Sequence, residues 1–258
     1  DELRHYQSQR TFWDALCATQ HVTMYVGWMK YDARHCAIAD ALEQAGGIMA
    51  VYQRAYEPLP AAEIATAADV MFGFSSSGAD IERRSGSRIR YHVTTGYLGD
   101  HRFPLVRAAS RRLREQLRQH GATHLIALCD ENSADDARWH TGHAPERAHY
   151  TFLLERVLAE PWLGLVIKPK VPSNLRHRLG PVTALLDRAL ATGRCHVFME
   201  GALQGAYPPA AAALAADVMV HTILSAATAA MESALAGVPT LLLDHEGWAA
   251  SPLYRLGV

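Results

Sequence analysis

The sequence has no long hydrophobic run and no excess of charge of either sign. Its 258 residues carry a formal net charge of −1, so no basic field predicts nucleic-acid binding, and any anion site must be built locally. No apolar stretch approaches the roughly 20 residues of a membrane span. The first ten residues, DELRHYQSQR, lack the apolar core of a signal peptide. These absences predict a cytoplasmic globular protein that does not bind nucleic acid.

Cysteine is also scarce, and the four cysteines do not have the spacing of a metal or redox site. Cys17, Cys36, Cys129 and Cys195 are far apart and form no C-x-x-C pair, so we expect reduced, buried thiols rather than disulfides. The 14 histidines are scattered without H-E-x-x-H spacing. The sequence therefore predicts neither a bound metal ion nor a cofactor.

Strand and helix patterns alternate along the first half of the chain, which predicts an α/β protein with a parallel sheet. Helices are predicted over 33–45 and 61–68. The predicted strands are 21–28, 48–52, 69–74 and 89–94. Residues 75–78, Ser-Ser-Ser-Gly, are interpreted as a loop, either a surface turn or a ligand-lining segment.

A basic helix is predicted over 104–120, with five arginines opposite a stripe of leucine and alanine. We expect its charged side to be solvated. The alternative is contact with an anionic membrane surface. Gly121 ends this helix, and a new series of strands and helices begins directly after it.

The second half repeats the α/β pattern. Strands are predicted over 124–129, 163–167 and 195–199, and helices over 146–159, 182–191 and 208–215. The first strand ends in Asp130-Glu131-Asn132-Ser133, where a βα loop would meet a ligand. The second runs into Lys168-Pro169-Lys170. These lysines are either a strand end reaching water or a phosphate clamp.

The stretch 216–244 is predicted to form a strand, a helix and a strand. Its strands are 218–220 and 240–243, and the alanine-rich helix between them ends at Gly237. Thr222 or Ser225 is predicted to cap that helix. Glu232 lies in its apolar middle, where a carboxylate is unfavourable without a partner. Glu232 therefore either points to solvent or has a specific task.

Ser225, Glu232, Gly237 and Pro239 match the S-x6-E-x4-G-x-P signature of nucleotide-sugar glycosyltransferases of the GT-B fold. The chain resembles that family, and residues 68–97 resemble the end of its N-terminal domain. The likeness is closest to bacterial surface-carbohydrate transferases, which make capsule or lipopolysaccharide. It implies two Rossmann-like domains facing each other across a cleft. Family members are longer, which implies truncation at both ends.

The resemblance also implies roles for individual residues. Glu232 is expected at the ribose hydroxyls, Lys168, Lys170 and Ser225 at the donor phosphate, and Glu200-Gly201 near the base. The residues predicted to bind substrate are Asp130, Glu131, Lys168, Lys170, Glu200, Gly201, His221, Thr222, Ser225, Glu232 and Glu246. The catalytic candidates are Asp80, His221 and His245, with Glu82, His35 and Glu57 considered on chemistry alone.

We therefore predict an acceptor-side domain over 1–104, a linker helix over 105–121 and a donor-binding domain over 122–258. The expected activity is metal-independent transfer of a sugar from a nucleotide-activated donor to a surface polysaccharide or glycolipid acceptor. No cofactor is expected beyond the donor itself, and peripheral contact with the inner membrane face is considered. The alternatives are a non-hydrolysing sugar-nucleotide epimerase or an inactive nucleotide-sugar-binding relative.

Overall fold

The computed structural model describes residues 2–135, 142–199, 207–224, 227–245, 247–249 and 251–256. The chain divides into two compact units. Unit 1 comprises Asp1–Leu98 and Ala250–Val258, and unit 2 comprises Gly99–Ala249. Each unit is built around its own parallel sheet.

Unit 1 holds a four-stranded parallel sheet of order β1-β2-β3-β4. Its elements are α1 (Glu2–Gln20), β1 (Met24–Gly27), α2 (Ala33–Ala45), β2 (Ile48–Tyr52), β3 (Ala67–Gly73), α3 (Ser76–Arg84) and β4 (Arg88–Thr94). Helix α2 confirms the sequence prediction. Its start is capped by Asp32, whose carboxylate accepts from the backbone N–H of His35 at 3.0 Å, and it ends at Gly46 with a φ of 71°.

Three features of unit 1 differ from the predictions. The helix expected over 61–68 is a single 3₁₀ turn, Ala62–Ile64, because pairing with β4 from Ala67 onward takes the end of that stretch into β3. The loop expected at 75–78 is a helix start: the Ser75 hydroxyl accepts from the N–H of Gly78 at 3.1 Å. Helix α1 has no counterpart among the predicted elements.

Unit 2 holds a five-stranded parallel sheet of order β7-β6-β5-β8-β9. Its elements are α4 (Phe103–Gln119), β5 (His124–Cys129), α5 (His143–Ala159), β6 (Leu163–Lys168), α6 (Leu175–Leu179), α7 (Thr183–Ala191), β7 (Cys195–Val197), α8 (Pro209–Ala213), β8 (Val218–His221), α9 (Thr228–Leu235) and β9 (Thr240–Leu242). The five strands confirm the predicted order of elements. The apolar runs of β5 and β6 pack into a hydrophobic cluster on each face of the sheet, whereas Leu241 of the edge strand β9 is 53% exposed.

The strand order reverses between β5 and β8. The chain first builds β5, β6 and β7 toward one side, and then returns to place β8 and β9 on the other. In open parallel sheets the loops at the carboxyl ends of the two strands at such a reversal form a ligand-binding crevice. Residues 130–133 and 222–224 therefore lie where a ligand is expected.

Helix α4, interpreted from the sequence as a linker, packs within unit 2. The Ser110 hydroxyl donates to the carbonyl of Ala211 on α8 at 2.8 Å, and Arg114 pairs with Asp217. Its buried side includes Leu113 and Leu117.

Helix α9 is shorter than predicted, with 8 residues. The predicted cap Thr222 does not start it, because the Thr222 hydroxyl donates to Glu146 at 2.7 Å. Ser225, the other predicted cap, lies outside the described residues. Gly237 follows the helix with a φ of 87°, which confirms the predicted stop.

All four cysteines lie in the described part of the chain and are free thiols, as predicted. Cys17, Cys129 and Cys195 are buried, but Cys36 is exposed on α2, which corrects the expectation for that residue. Within the described ranges, the structure shows no helix with the length and apolar character needed to cross a membrane.

Candidate functional site

The last residues of three neighbouring strands of unit 2 lie side by side in one row. Cys129 pairs in register with Lys168 on one side and with His221 on the other. Lys168 is 6% exposed, and His221 is fully buried. The strand order therefore brings two of the predicted binding residues together at the carboxyl edge, next to the reversal point.

Lys168 is a buried cation without a carboxylate partner at ion-pair distance in the described chain. Its Nζ donates to the carbonyl of Pro169 at 2.9 Å. Burial lowers the pKa of Lys168, the charges of Asp130 and Glu232 act to raise it, and the Arg102 guanidinium lowers it further. A poorly compensated cation at the end of a buried strand favours an anionic ligand.

Glu232 is 4% exposed, so it does not point to solvent. Its Oε1 accepts from the backbone N–H of Ala210, near the start of α8, at 2.8 Å. The carboxylate also lies close enough to Lys168 to act on that side chain's pKa. The charge of Glu232 therefore acts on Lys168. The role of Glu232 at the donor ribose stays a prediction.

Asp130 is 3% exposed, and both of its oxygens are bonded within the fold. Oδ1 accepts from the backbone N–H of Lys170 at 2.7 Å, and Oδ2 accepts from Tyr150 and Arg178, each at 2.8 Å. Asp130 therefore organises the loops at this edge. Its predicted direct contact with substrate is not needed to explain its burial.

Glu131 and Lys170 form an ion pair at the surface of the same edge. The Lys170 side chain is 52% exposed and that of Glu131 is 12% exposed. Exposed pairs of this kind contribute little to stability, so both groups can exchange partners when an anion approaches. Of the two lysines, Lys168 is the preorganised one.

His221 has a defined tautomer when neutral. Its Nδ1 lies 2.8 Å from the carbonyl oxygen of Cys129, and a carbonyl only accepts, so Nδ1 carries the proton. Nε2 of the neutral ring is then an acceptor. Protonation of Nε2 is required before His221 can act as a general acid.

Glu146 is a buried carboxyl beside the predicted site. It is 2% exposed; Oε1 accepts from Thr222, and Oε2 has no hydrogen-bond partner in the described structure. Burial, followed by the charge of Asp130, raises the pKa of Glu146 to about 7. Glu146 therefore exchanges a proton in the neutral range at the end of β8.

His245 contacts a histidine from α5. Its Nε2 lies 2.9 Å from Nε2 of His149, and a hydrogen bond at that distance needs one proton between the two rings. Burial and the neighbouring His245 lower the pKa of His149. When both rings are neutral, one Nε2 donates and the other accepts.

The candidates in unit 1 differ in their surroundings. Asp80 is exposed on α3 and lies 3.6 Å from Arg83. His35 is buried, with Nε2 at 2.9 Å from the carbonyl of Ala67. Glu57 and Glu82 both pair with the buried Lys30. Of the six catalytic candidates, only His221 and His245 belong to unit 2.

Four predicted residues, Glu200, Gly201, Ser225 and Glu246, lie outside the described residues. Next to Glu200 in sequence, Met199 lines a cavity of about 320 Å³ in unit 2, together with Phe198, Tyr207 and Arg112. The Phe198 and Tyr207 rings lie 5.1 Å apart. No group of three or more metal-ligating side chains occurs in the described ranges, and the prediction of a metal-free site stays a prediction.

Sequence reasoning missed Glu146 and Arg178. Each interrupts an apolar stripe: Glu146 precedes Tyr150 and Leu154 on α5, and Arg178 lies between Leu175 and Leu179 on α6. The same signal singled out Glu232, so both residues could have been found by it.

No protein-family model matches the sequence, and no curated protein matches it. Several solved structures match the chain. A protein from Listeria monocytogenes assigned as a UDP-N-acetylglucosamine 2-epimerase matches with a TM-score of 0.58 and 13% identity, over 94% of this chain and 62% of that chain.

Two trehalose-phosphate synthases also match. The UDP-forming enzyme from Burkholderia xenovorans has 12% identity and a TM-score of 0.47, over 92% of this chain and 62% of that one. The enzyme from Burkholderia multivorans has 16% identity and a TM-score of 0.49, over 97% and 63%.

The chain thus spans less than two thirds of the length of each of these proteins. At 13% identity the Listeria match shows the fold alone. The chain is an α/β protein with two Rossmann-like parallel sheets of the GT-B type, as the sequence predicts.

Proposed function

We propose that unit 2 binds a nucleotide-activated sugar at the carboxyl edge of its sheet and that the chain transfers that sugar to an acceptor. The observation that carries the proposal is the row at the β5–β8 reversal. There Lys168 lies buried without a carboxylate at ion-pair distance in the described chain, and Glu232 lies within its electrostatic reach. This is the edge where doubly wound sheets bind nucleotides.

The donor's phosphate would lie on Lys168, with Lys170 and Ser225 as further ligands and Glu232 at the ribose. Asp130 and Glu131 would support this edge from the loop after β5. Because Lys170 is exposed and paired with Glu131, its Nζ would reach a phosphate by leaving that carboxylate. An ammonium group suits such a role as a compact point charge.

The nucleobase would enter the cavity beside β7. Phe198 and Tyr207 offer ring faces of the kind on which a base stacks, and Arg112 supplies charge at the same cavity. A volume of about 320 Å³ lies at the lower end for small-molecule sites. Glu200 and Gly201, predicted to lie near the base, directly follow the cavity-lining Met199 in sequence.

In the transfer, the acceptor's hydroxyl oxygen bonds to the anomeric carbon, and the bond from that carbon to the donor phosphate breaks. Negative charge develops on the departing phosphate, so a fixed cation such as Lys168 lowers the barrier by stabilising that charge. This mechanism needs no metal ion. His221 or His245 would hydrogen-bond or protonate the leaving phosphate. Thr222 and Glu246 remain predicted substrate contacts, and Asp80 remains a candidate base on chemistry alone.

The acceptor class in this proposal is a bacterial surface polysaccharide or glycolipid, which follows from the sequence resemblance. The basic, exposed side of α4 would then lie against an anionic membrane face during transfer to a glycolipid.

A sugar-nucleotide epimerase is the second candidate, because the Listeria protein is assigned as one. The two activities differ in their products. An epimerase converts the donor without an acceptor, whereas a transferase releases free nucleotide only when an acceptor takes the sugar. An inactive relative would bind the donor and do neither.

Calorimetry with UDP, GDP, CDP and CMP, followed by donor turnover with and without saccharide acceptors, tests the proposal. We expect one nucleotide to bind and its release from the donor to depend on acceptor. Nucleotide release that does not depend on the acceptor would contradict the proposed transferase activity. Replacing Glu232 with Ala should weaken nucleotide binding by roughly 1.5–3 kcal/mol; a lower melting temperature with unchanged affinity would assign Glu232 to packing.

A further inference from the structure

Arg178 is a fully buried arginine in a short helix of unit 2. It is 2% exposed and lies between Leu175 and Leu179, which are also buried. A guanidinium in an apolar core is unfavourable unless its donors are satisfied and its charge is paired. The contacts of Arg178 therefore show what it does.

Its three donor groups reach three different residues. Nη2 donates to Asp130 Oδ2 at 2.8 Å, Nη1 donates to the carbonyl of Glu131 at 3.1 Å, and Nε donates to Asn174 Oδ1 at 3.0 Å. Asp130 and Glu131 belong to the loop after β5, and Asn174 ends the 3₁₀ turn Pro172–Asn174 in the connection between β6 and α6. The rigid fork of one arginine thus cross-links the two loops.

Asp130 extends the link to the lysine loop. Its Oδ1 accepts from the backbone N–H of Lys170 at 2.7 Å, and Tyr150 from α5 donates to Oδ2 at 2.8 Å. Arg178 and Tyr150 therefore hold a carboxylate whose other oxygen fixes the backbone of Lys170. The segment from Lys168 to Lys170 is held at a set distance from the end of β5.

We propose that Arg178 is a positioning residue for the phosphate-binding loop after β6, acting through Asp130 on the backbone of Lys170. This inference rests on the proposed function, because it takes the donor phosphate as the ligand of that loop. Arg178 does not touch the ligand. It removes conformational freedom from the backbone of Lys170 before the phosphate arrives, so less entropy is lost on binding.

Without Arg178, the Asp130 carboxylate would be buried and unpaired, and its relaxation toward water would release the N–H of Lys170. Arg178→Met keeps much of the side chain's length and apolar contact and removes all three hydrogen-bonding links. We expect it to weaken binding of the nucleotide by about ten-fold or more. Arg178→Lys keeps a charge for Asp130, but one ammonium cannot span both loops, so it should recover stability more than affinity.

A matched control lies in the same unit. Arg194 is 8% exposed, and its Nη1 donates to the carbonyls of Glu160 and Leu163 at 2.9 and 2.6 Å. Leu163 is the first residue of β6, so Arg194 lies at the amino end of the sheet, opposite the proposed site. Arg194→Met removes a buried arginine of the same kind without touching either loop.

The experiment uses calorimetry to measure the dissociation constant of whichever of UDP, GDP, CDP and CMP the wild type binds. It compares the wild type with the Arg178→Met, Arg178→Lys and Arg194→Met variants, well below each melting temperature. Both Met variants should melt lower, but only Arg178→Met should lose affinity, with Arg194→Met within about two-fold of wild type. Unchanged affinity in Arg178→Met, or an equal loss in Arg194→Met, overturns the inference. If Arg178→Met does not fold, Tyr150→Phe serves instead and should weaken binding about three-fold; unchanged affinity there overturns the inference as well.

The proposed function and the positioning role of Arg178 would be contradicted by different results of this experiment. A wild-type chain that binds none of UDP, GDP, CDP or CMP contradicts the proposed function, and the inference falls with it. A wild type that binds, with Arg178→Met binding equally well, overturns the positioning role alone.

Discussion

Replacing Glu146 with Gln should stabilise the protein at alkaline pH and have a smaller effect at acid pH. The carboxyl is 2% exposed, its Oε2 lacks a hydrogen-bond partner in the described structure, and its pKa is raised to about 7. In the unfolded chain the same group titrates near its ordinary value of 4.5. The folded state therefore holds a proton that the unfolded state has already released.

The magnitude follows from the two pKa values. Because the folded pKa is the higher one, this group's contribution to stability is greatest below pH 4.5 and is lost as the pH rises toward 7. A pKa difference of about 2.5, at about 1.36 kcal/mol for each pH unit, corresponds to about 3 kcal/mol over the whole range. About 2 kcal/mol of this change falls between pH 5.5 and pH 8.5.

Urea unfolding of wild type and Glu146→Gln at pH 5.5 and pH 8.5 measures this quantity. The Gln amide oxygen still accepts from Thr222, so the difference in unfolding free energy between the two proteins isolates the proton. We expect the variant's advantage to grow by about 2 kcal/mol from the lower to the higher pH. Glu155→Gln, an exposed substitution on the same helix, should show no such growth. A pH-independent difference for Glu146→Gln would refute the reasoning.

Three further substitutions test interactions inside the individual units. Lys30→Met should destabilise unit 1 by about 3–5 kcal/mol, because Glu57 and Glu82 would lose their shared cation in a buried position; a loss below 1 kcal/mol in urea unfolding would contradict this. Ser75→Ala should lower stability by about 1 kcal/mol through the lost cap, and an unchanged melting temperature would show that the cap is not formed. Gly164→Ala should cost about 1–3 kcal/mol, since an added Cβ would lie 2.5–2.9 Å from three atoms, one of them a backbone oxygen; thermal melting at wild-type temperature would contradict the close packing.

The strands of unit 2 could be predicted because buried parallel strands have unbroken apolar runs in their sequences. The prediction for 124–129 coincides with β5. For Glu232 the sequence left solvent exposure and a specific task open, and the structure shows that the residue is buried. Helix α1 was not found because its residues form no clear apolar stripe. It is held by tertiary contacts, including packing of Trp13 against Tyr25.

The partners of the site residues could not be predicted, since they come from distant parts of the chain. The polar cluster after β5 is visible in the sequence, but Arg178, which pairs with Asp130, lies 48 positions away. Glu232 likewise meets the N–H of Ala210, 22 positions away, only once α8 is packed beside α9. Sequence spacing gives the edge of the sheet at which a side chain stands, whereas tertiary packing decides which partners it finds there.

The most direct test of the central claim is a crystal structure of this chain with the nucleoside diphosphate that calorimetry identifies. We expect the diphosphate at the β5–β8 edge of unit 2, with a phosphate oxygen within hydrogen-bond distance of Lys168 Nζ. The ribose hydroxyls should lie beside Glu232. A nucleotide bound at the amino ends of these strands, or bound with Lys168 still donating only to Pro169, would contradict it.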